Sequence, residues 1–94
     1  MKVRYMATAL AEIDQIICYI ATDNQSSAAA VADKINDSVV RISEHPKLAP
    51  VIYKGEVRAI VVGRFDYRIF YVVRGNELII RNVRNVRRRR PWEG

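Results

Sequence analysis

The segment Val57–Val73 constrains the fold of this chain more than any other. It reads VRAIVVGRFDYRIFYVV, with two runs rich in β-branched and aromatic residues on either side of Gly63–Asp66. Such residues pack well on a pleated sheet. The pattern therefore predicts strands at Val57–Val62 and Tyr67–Val73, joined by a short turn.

Alternation along the second of these strands makes one position unusual. Tyr67, Ile69, Tyr71 and Val73 share one face, and Arg68, Phe70 and Val72 share the other. An arginine in the middle of a strand must pair with a carboxylate or reach a wet groove, because burying its charge unpaired is costly. Since the next strand carries more arginines, we expect the sheet to present a basic face.

The N-terminal part predicts a short strand over Lys2–Met6 and then a helix from Ala9 to about Thr22, with Thr8 as its N-cap. Apolar residues recur in this helix at spacings of three and four, at Leu10, Ile13, Ile17 and Ile20. Acidic residues in both helices, including Glu12, are expected to lie on solvated faces. Cys18 lies within the helical pattern and is expected to be a small buried side chain.

A second helix is predicted from a cap at Asn24 or Ser26 to about Glu44, where His45-Pro46 ends it. Its apolar stripe consists of Val31, Ile35, Val39 and Ile42. The break between the two helices is short. They are therefore expected to form an antiparallel hairpin whose stripes face the sheet.

The C-terminal part predicts a meander of three antiparallel strands. Pro46–Glu56 has two prolines and a glycine and is expected to be a surface connection. Gly75-Asn76 gives a tight hairpin, and Leu78–Val86 forms the last strand. The predicted fold is one α+β domain over residues 1–94, in the order β-α-α-β-β-β. A helical hairpin packs on one face of a curved, mainly antiparallel sheet.

Charge is distributed unevenly along the chain. Residues 1–45 hold four basic and six acidic residues, whereas residues 46–94 hold twelve basic and four acidic ones. Every basic residue from Arg58 to Arg90 is an arginine, the side chain suited to bidentate contact with carboxylate or phosphate. This pattern predicts a surface that binds an anionic partner, with Arg58, Arg64, Arg68, Arg81, Arg84, Arg87, Arg88 and Trp92 as candidate contact residues.

Several classes of function have no support in these residues. One cysteine excludes an internal disulfide, and no metal-ligand spacing or phosphate-cradling glycine loop occurs. His45 lies before a proline without a serine or cysteine arrangement around it, so it has no catalytic signature. No apolar run approaches the roughly 20 residues that span a bilayer, and no signal peptide is evident. We therefore expect a cytoplasmic protein without cofactor or metal.

The chain resembles the ParE/RelE superfamily of bacterial toxins over nearly its whole length, and it is closest in style to the ParE branch. The resemblance is carried by Ala9–Ile16, Tyr19-Ile20, Ile42–Pro46 and the long run from Val57 to Arg88. Within that run, Tyr67–Tyr71 (YRIFY) followed by a glycine hairpin and a V-x-x-x-R-R ending, Val83 to Arg88, is the most specific part. The superfamily fold, a helical hairpin on a curved antiparallel sheet, agrees with the fold predicted above.

The resemblance implies the toxin of a type II toxin–antitoxin pair. ParE-type toxins act on DNA gyrase, whereas RelE-type toxins cleave messenger RNA in the ribosome. The implied partner is a ParD-like antitoxin whose acidic, amphipathic tail wraps the basic surface. Charge reversal at Arg68 or Arg84 is accordingly expected to weaken antitoxin binding.

The chemistry favours the gyrase inhibitor over the nuclease. The RelE pattern supplies lysines where this chain has Arg58–Val61, and a tyrosine where it has Pro91-Trp92. Arg68 and Arg88 match the RelE arginines and would be the catalytic pair of a ribonuclease. Many relatives carry a histidine where this chain has Asn85, which cannot titrate near neutral pH. The alternatives that stay open are the ribosome-dependent ribonuclease and a basic nucleic-acid-binding module without toxicity.

Overall fold

The structure is a computed structural model that describes residues 1–63 and 65–85. In this part of the chain the elements follow the order β-α-α-β-β-β-β, and their bounds are β1 Lys2–Tyr5, α1 Ala7–Asp23, α2 Gln25–Glu44, β2 Val51–Tyr53, β3 Val57–Val61, β4 Tyr67–Arg74 and β5 Glu77–Asn85. The predicted α+β class and the helical hairpin are confirmed. One strand was missed, since Val51–Tyr53 pairs with β3 inside the segment expected to be an irregular connection.

The sheet has the strand order β1-β5-β4-β3-β2. Strands β2 to β5 form the predicted antiparallel meander, extended by β2 at one edge. β1 pairs with β5 in parallel, from Lys2 opposite Glu77 to Tyr5 opposite Ile80. Past that point, no strand among the described residues pairs with β5 on its β1 side. This open stretch shapes the site described below.

The two helices differ in how well their sequences predicted them. Asn24 caps α2 as expected, because its Oδ1 accepts a hydrogen bond from the Ser27 N–H at 3.0 Å. The predicted α2 stripe is buried in full, at Val31, Ile35, Val39 and Ile42. Helix α1 begins at Ala7 with Met6 as its N-cap residue, so the prediction of Thr8 as the cap is wrong.

The expected α1 stripe is wrong at one position and the expected burial of Cys18 is also wrong. Leu10 is 54% exposed, whereas Ala9 beside it is completely buried. Cys18 is exposed. The stripe is shifted because half-buried Ile16 packs against the core together with Ile13, Ile17 and Ile20. Neither described helix meets the length and apolarity that crossing a bilayer requires.

The core lies on both faces of the sheet. On the helix-covered face, Ile69 and Tyr71 of β4 join the buried side chains of α2 and β5. On the opposite face, called here the outer face, Phe70 and Val72 belong to a smaller buried apolar cluster with Val57, Ala59 and Ile79. The predicted alternation along β4 is therefore confirmed. The centre of the outer face is apolar, which leaves its margins for charged side chains.

Candidate functional site

The structure places the described candidate arginines on both faces of the sheet: Arg68 lies directly opposite Arg84 on the outer face, whereas Arg58 lies on the helix-covered face. Arg64, Arg87, Arg88 and Trp92 lie outside the described residues. Arg58, Arg68, Arg81 and Arg84 are described, and all four are half-buried. Arg58 therefore does not belong to the expected basic face, and the candidate contacts of the other arginines stay a prediction. Arg58 and Arg84 each have a partner within the chain that the sequence pattern did not reveal.

Arg58 belongs to the helix-covered side of β3, because it lies directly opposite Tyr71 of β4. Its Nη1 donates to the Ala49 carbonyl at 2.7 Å, and the Tyr71 hydroxyl donates to the Pro46 carbonyl at 2.8 Å. These two hydrogen bonds tie the segment after α2 onto the sheet. Arg58 thus has a structural partner within the chain, whatever else it contacts.

Ionisation of Tyr5 and Tyr71 should lower the free energy of unfolding at alkaline pH. Burial raises the pKa of Tyr71, against a smaller opposing effect from an Ala49 backbone hydrogen bond and the Arg58 charge, and burial also raises the pKa of Tyr5. In the unfolded chain these hydroxyls ionise near pH 10. Above about pH 10 the unfolded state therefore binds fewer protons than the folded state, and the free energy of unfolding decreases as pH rises.

Urea unfolding of the wild type and of Tyr5→Phe/Tyr71→Phe, measured from about pH 8 to about pH 11, checks this expectation. The decline above about pH 10 should be clearly shallower in the double variant. Equal declines in both proteins would contradict the assignment of the effect to these two hydroxyls.

Glu12 is the polar centre of the region where α1 meets β5. Its Oε1 accepts from the Asn82 Nδ2 at 3.0 Å and from the Val83 backbone N–H at 3.1 Å. Its Oε2 accepts from the Arg84 Nε at 2.7 Å. Only 16% of the Glu12 side chain is exposed. The prediction that Glu12 lies on a solvated helix face is therefore wrong.

The cause is the length of β1. That strand ends opposite Ile80, and the Met6 N–H donates to the Ile80 carbonyl at 2.9 Å as the chain turns into α1. The next part of β5 has an unpaired edge, and a buried backbone N–H there needs an acceptor. The Glu12 carboxylate supplies the acceptor that a longer β1 would have supplied, and it neutralises Arg84 in the same contact.

Arg68 lies in a groove of about 410 Å³ at the β3 edge of the sheet. This Arg68 groove is lined by Arg41, Leu48, Ala49, Pro50, Ile52, Ala59, Ile60, Val61 and Arg68. The Arg68 Nε is buried, and within residues 1–63 and 65–85 it has no hydrogen-bond partner. A buried guanidinium N–H without an acceptor is costly, so this group is suited to an acceptor from a bound partner.

Arg81 lies in a second groove, of about 590 Å³, beside β1. Arg4, Arg74 and Arg81 surround Val72 and Ile79 there, at the margin of the outer-face apolar cluster. Arg4 and Arg74 each have a carboxylate neighbour, Glu77 at 3.9 Å and Glu56 at 2.5 Å respectively. This groove is basic, but its charge is partly balanced within the chain.

The described lining of the Arg68 groove combines positive charge with apolar side chains. The Arg68 groove holds two guanidinium groups among apolar side chains, with no lysine, histidine, tyrosine or carboxylate in its lining. Among the described residues that line this groove, none carries a side chain commonly used to transfer a proton. In the described part of the chain, no three histidine, cysteine or acidic residues are grouped so as to hold a metal ion.

Comparisons with known proteins agree with this architecture. The family model described as "ParE toxin of type II toxin-antitoxin system, parDE" matches residues 3–92. The chain is similar in structure to a protein described as "Chromosomal ParDE TA system from P. aeruginosa", with a TM-score of 0.77, 18% identity and coverage of 90% of this chain and 95% of that one. No curated protein matches significantly. The match over nearly the whole sequence shows that the chain belongs to the ParE toxin family of type II toxin–antitoxin systems.

Proposed function

We propose that this chain inhibits DNA gyrase in the cytoplasm and is neutralised by a cognate ParD-like antitoxin. Membership of the ParE family supports the toxin role and the existence of an antitoxin partner. The composition of the Arg68 groove is the observation that favours an inhibitor over a ribonuclease. Its described lining residues offer cationic donors and apolar contacts, and none of them is suited to accept a proton from a ribose hydroxyl.

The ribonuclease alternative requires more than the two matching arginines. Arg68 could stabilise a phosphate charge, and Arg88 lies outside the described residues. A base is still needed, yet among the described residues that line the Arg68 groove the charged side chains are both arginines, Arg41 and Arg68. His45, the one histidine of the chain, is exposed at the end of α2 and is absent from this groove. Binding is therefore the function that this site supports best.

A supercoiling assay tests the proposal. Relaxed plasmid, ATP and purified gyrase are incubated with increasing amounts of the full-length toxin. We expect the initial supercoiling rate to fall by at least about ten-fold at saturating toxin, a difference in barrier of roughly 1.4 kcal/mol. Pre-mixing the toxin with its antitoxin should restore the rate, since a neutralised toxin cannot reach gyrase.

A second arm separates the proposal from the ribonuclease. Messages translated in a purified ribosome system are mapped by primer extension with and without toxin. Unchanged supercoiling together with new cuts in translated messages would reject the gyrase proposal in favour of the nuclease. Inhibited supercoiling without new cuts is the expected result.

A further inference from the structure

A β-bulge places Arg81 in the groove beside β1. In the register of β4 and β5, Ile80 lies opposite Tyr71. The next pair joins Asn82 to Phe70, which leaves Arg81 as an extra residue of β5 without a partner on β4. Bulges of this kind redirect a side chain and are common beside binding sites. The Arg81 guanidinium has no hydrogen bond or ion pair with another described residue, so it is available to a ligand.

Two further arginines line the same groove, which is called here the Arg81 groove. Arg4 lies beside Ile79 in the β1–β5 register, and Ile79 lies opposite Val72, so these three residues form one row across the outer face. Arg74 follows Val72 by two positions on β4 and therefore shares that face. Three arginines thus surround an apolar floor in a groove of about 590 Å³.

The charge of these arginines is only partly balanced within the chain. The Arg4 Nη2 and the Glu77 Oε1 are 3.9 Å apart, which is too far for a hydrogen bond. The ion pair of Arg74 with Glu56 is exposed on both sides, and such pairs are weak. No carboxylate lies in the described lining of the groove, and the first turn of α1, which borders it, has no acidic residue. The groove therefore keeps an excess of positive charge.

A phosphate group matches this charge better than a carboxylate does. Guanidinium groups donate paired hydrogen bonds to either anion. The carboxylates of Glu56 and Glu77 lie at the margin, however, and neither contacts Arg81. A ligand must therefore compete with two carboxylates for Arg4 and Arg74 while it also neutralises Arg81. Neighbouring phosphates, which carry several charges in a small volume, satisfy both requirements.

The apolar part of the groove suits a flat ring joined to that phosphate. Val72 and Ile79 form the floor, and Met6, which is 46% exposed, lines the wall. Guanidinium planes also stack on the faces of aromatic rings, so the same arginines contact a ring as well as a phosphate. The volume of the groove falls in the range of sites for small organic ligands.

We propose that the Arg81 groove binds a free nucleotide, with the phosphates held by Arg81 together with Arg4 or Arg74 and the base against Met6 and the apolar floor. This inference goes beyond the proposed function, because it concerns the chain by itself and requires neither gyrase nor an antitoxin. A single-stranded nucleic acid carries the same chemical groups, and the test separates it from a free nucleotide.

Calorimetry of the full chain with magnesium-free ATP tests the site. We expect Arg81→Gln to raise the Kd by at least about ten-fold. Arg81→Lys keeps the charge but loses the planar fork, so its Kd should rise by about three-fold. Arg41→Gln removes the same charge from an exposed position outside this groove and should change the Kd by less than about two-fold. Equal losses in Arg81→Gln and Arg41→Gln would overturn the inference, because binding would then follow net charge alone.

Other ligands identify which part of the nucleotide is recognised. ATP should bind at least about ten-fold more tightly than either inorganic pyrophosphate or adenosine, since each of these lacks one of the two contacts. Pyrophosphate that binds as tightly as ATP would overturn the assignment to a nucleotide. A single-stranded DNA of about ten nucleotides that binds at least about ten-fold more tightly than ATP, and loses this affinity in Arg81→Gln, would assign the groove to a strand and also overturn it.

Folding and location are checked independently. Thermal unfolding confirms that each variant is folded, and the double variant Arg4→Gln/Arg74→Gln replaces Arg81→Gln if that variant does not fold. In amide NMR spectra of the wild type, ATP should shift the Ile79 signal and leave that of Val39, buried in α2, unchanged. Shifts confined to residues outside the Arg81 groove would overturn the proposed site.

Discussion

Replacing Glu12 by alanine should lower the free energy of unfolding by about 2–4 kcal/mol. The substitution leaves the Val83 N–H and the Asn82 amide without their acceptor and the Arg84 guanidinium without its counter-charge. Loss of one partner from a buried charged contact typically costs about 3–5 kcal/mol, and the partial exposure of Arg84 reduces that figure. Urea denaturation with tryptophan or far-ultraviolet detection measures the change.

Glu12→Gln separates the charge from the hydrogen bonds. Glutamine keeps an oxygen for the Val83 N–H but turns a donor toward the Arg84 Nε, so we expect a loss of about 1–2 kcal/mol. Asp33→Ala is the matched control, because Asp33 is an exposed acid on α2 and its loss should fall within about 0.5 kcal/mol. A Glu12→Ala effect no larger than that of the control would show that the carboxylate does not support the β5 edge.

Tyr71→Ala should be the most destabilising substitution in the sheet, at about 3–5 kcal/mol. Tyr71 is completely buried in the middle of β4, and its truncation leaves a ring-sized cavity as well as an unpaired Pro46 carbonyl. Tyr71→Phe keeps the ring and removes only the hydroxyl, so a loss of about 1–2 kcal/mol is expected. Denaturant midpoints at constant m-value give both numbers.

Comparing the unfolding free energies of the two Tyr71 variants separates the contribution of the hydrogen bond to Pro46 from that of ring packing. If Tyr71→Phe costs as much as Tyr71→Ala, the hydrogen bond to Pro46 rather than ring packing dominates. Val40→Ala, at an exposed position of α2, controls for removal of apolar area without a cavity. A Tyr71→Ala loss no larger than that of Val40→Ala would contradict the placement of Tyr71 in the core.

Local sequence patterns predicted most of the architecture. The α2 stripe, the Asn24 cap and the alternation of Ile69 and Phe70 follow from periodicities of 3.6 and 2 that one segment carries by itself. The α1 stripe was less well predicted, because Leu10 fits the helical spacing but is exposed, whereas the neighbouring Ala9 is the buried residue. β2 was missed because three residues between a proline and a glycine turn give too short a pattern to identify.

Tertiary structure alone decided how the charged residues are used. Nothing near Glu12 in sequence indicates that it meets Asn82 and Arg84, since the partners are separated by 70 and 72 positions. The same holds for Arg58 and Arg68. The Arg58 Nη1 donates to a carbonyl, whereas the buried Arg68 Nε has no hydrogen-bond partner among the described residues. The sequence by itself determined which segments form helices and strands, and that the C-terminal half is basic. Only the folded sheet decided which arginines are neutralised, because strand register and the early end of β1 set the distance of each charge from its partner.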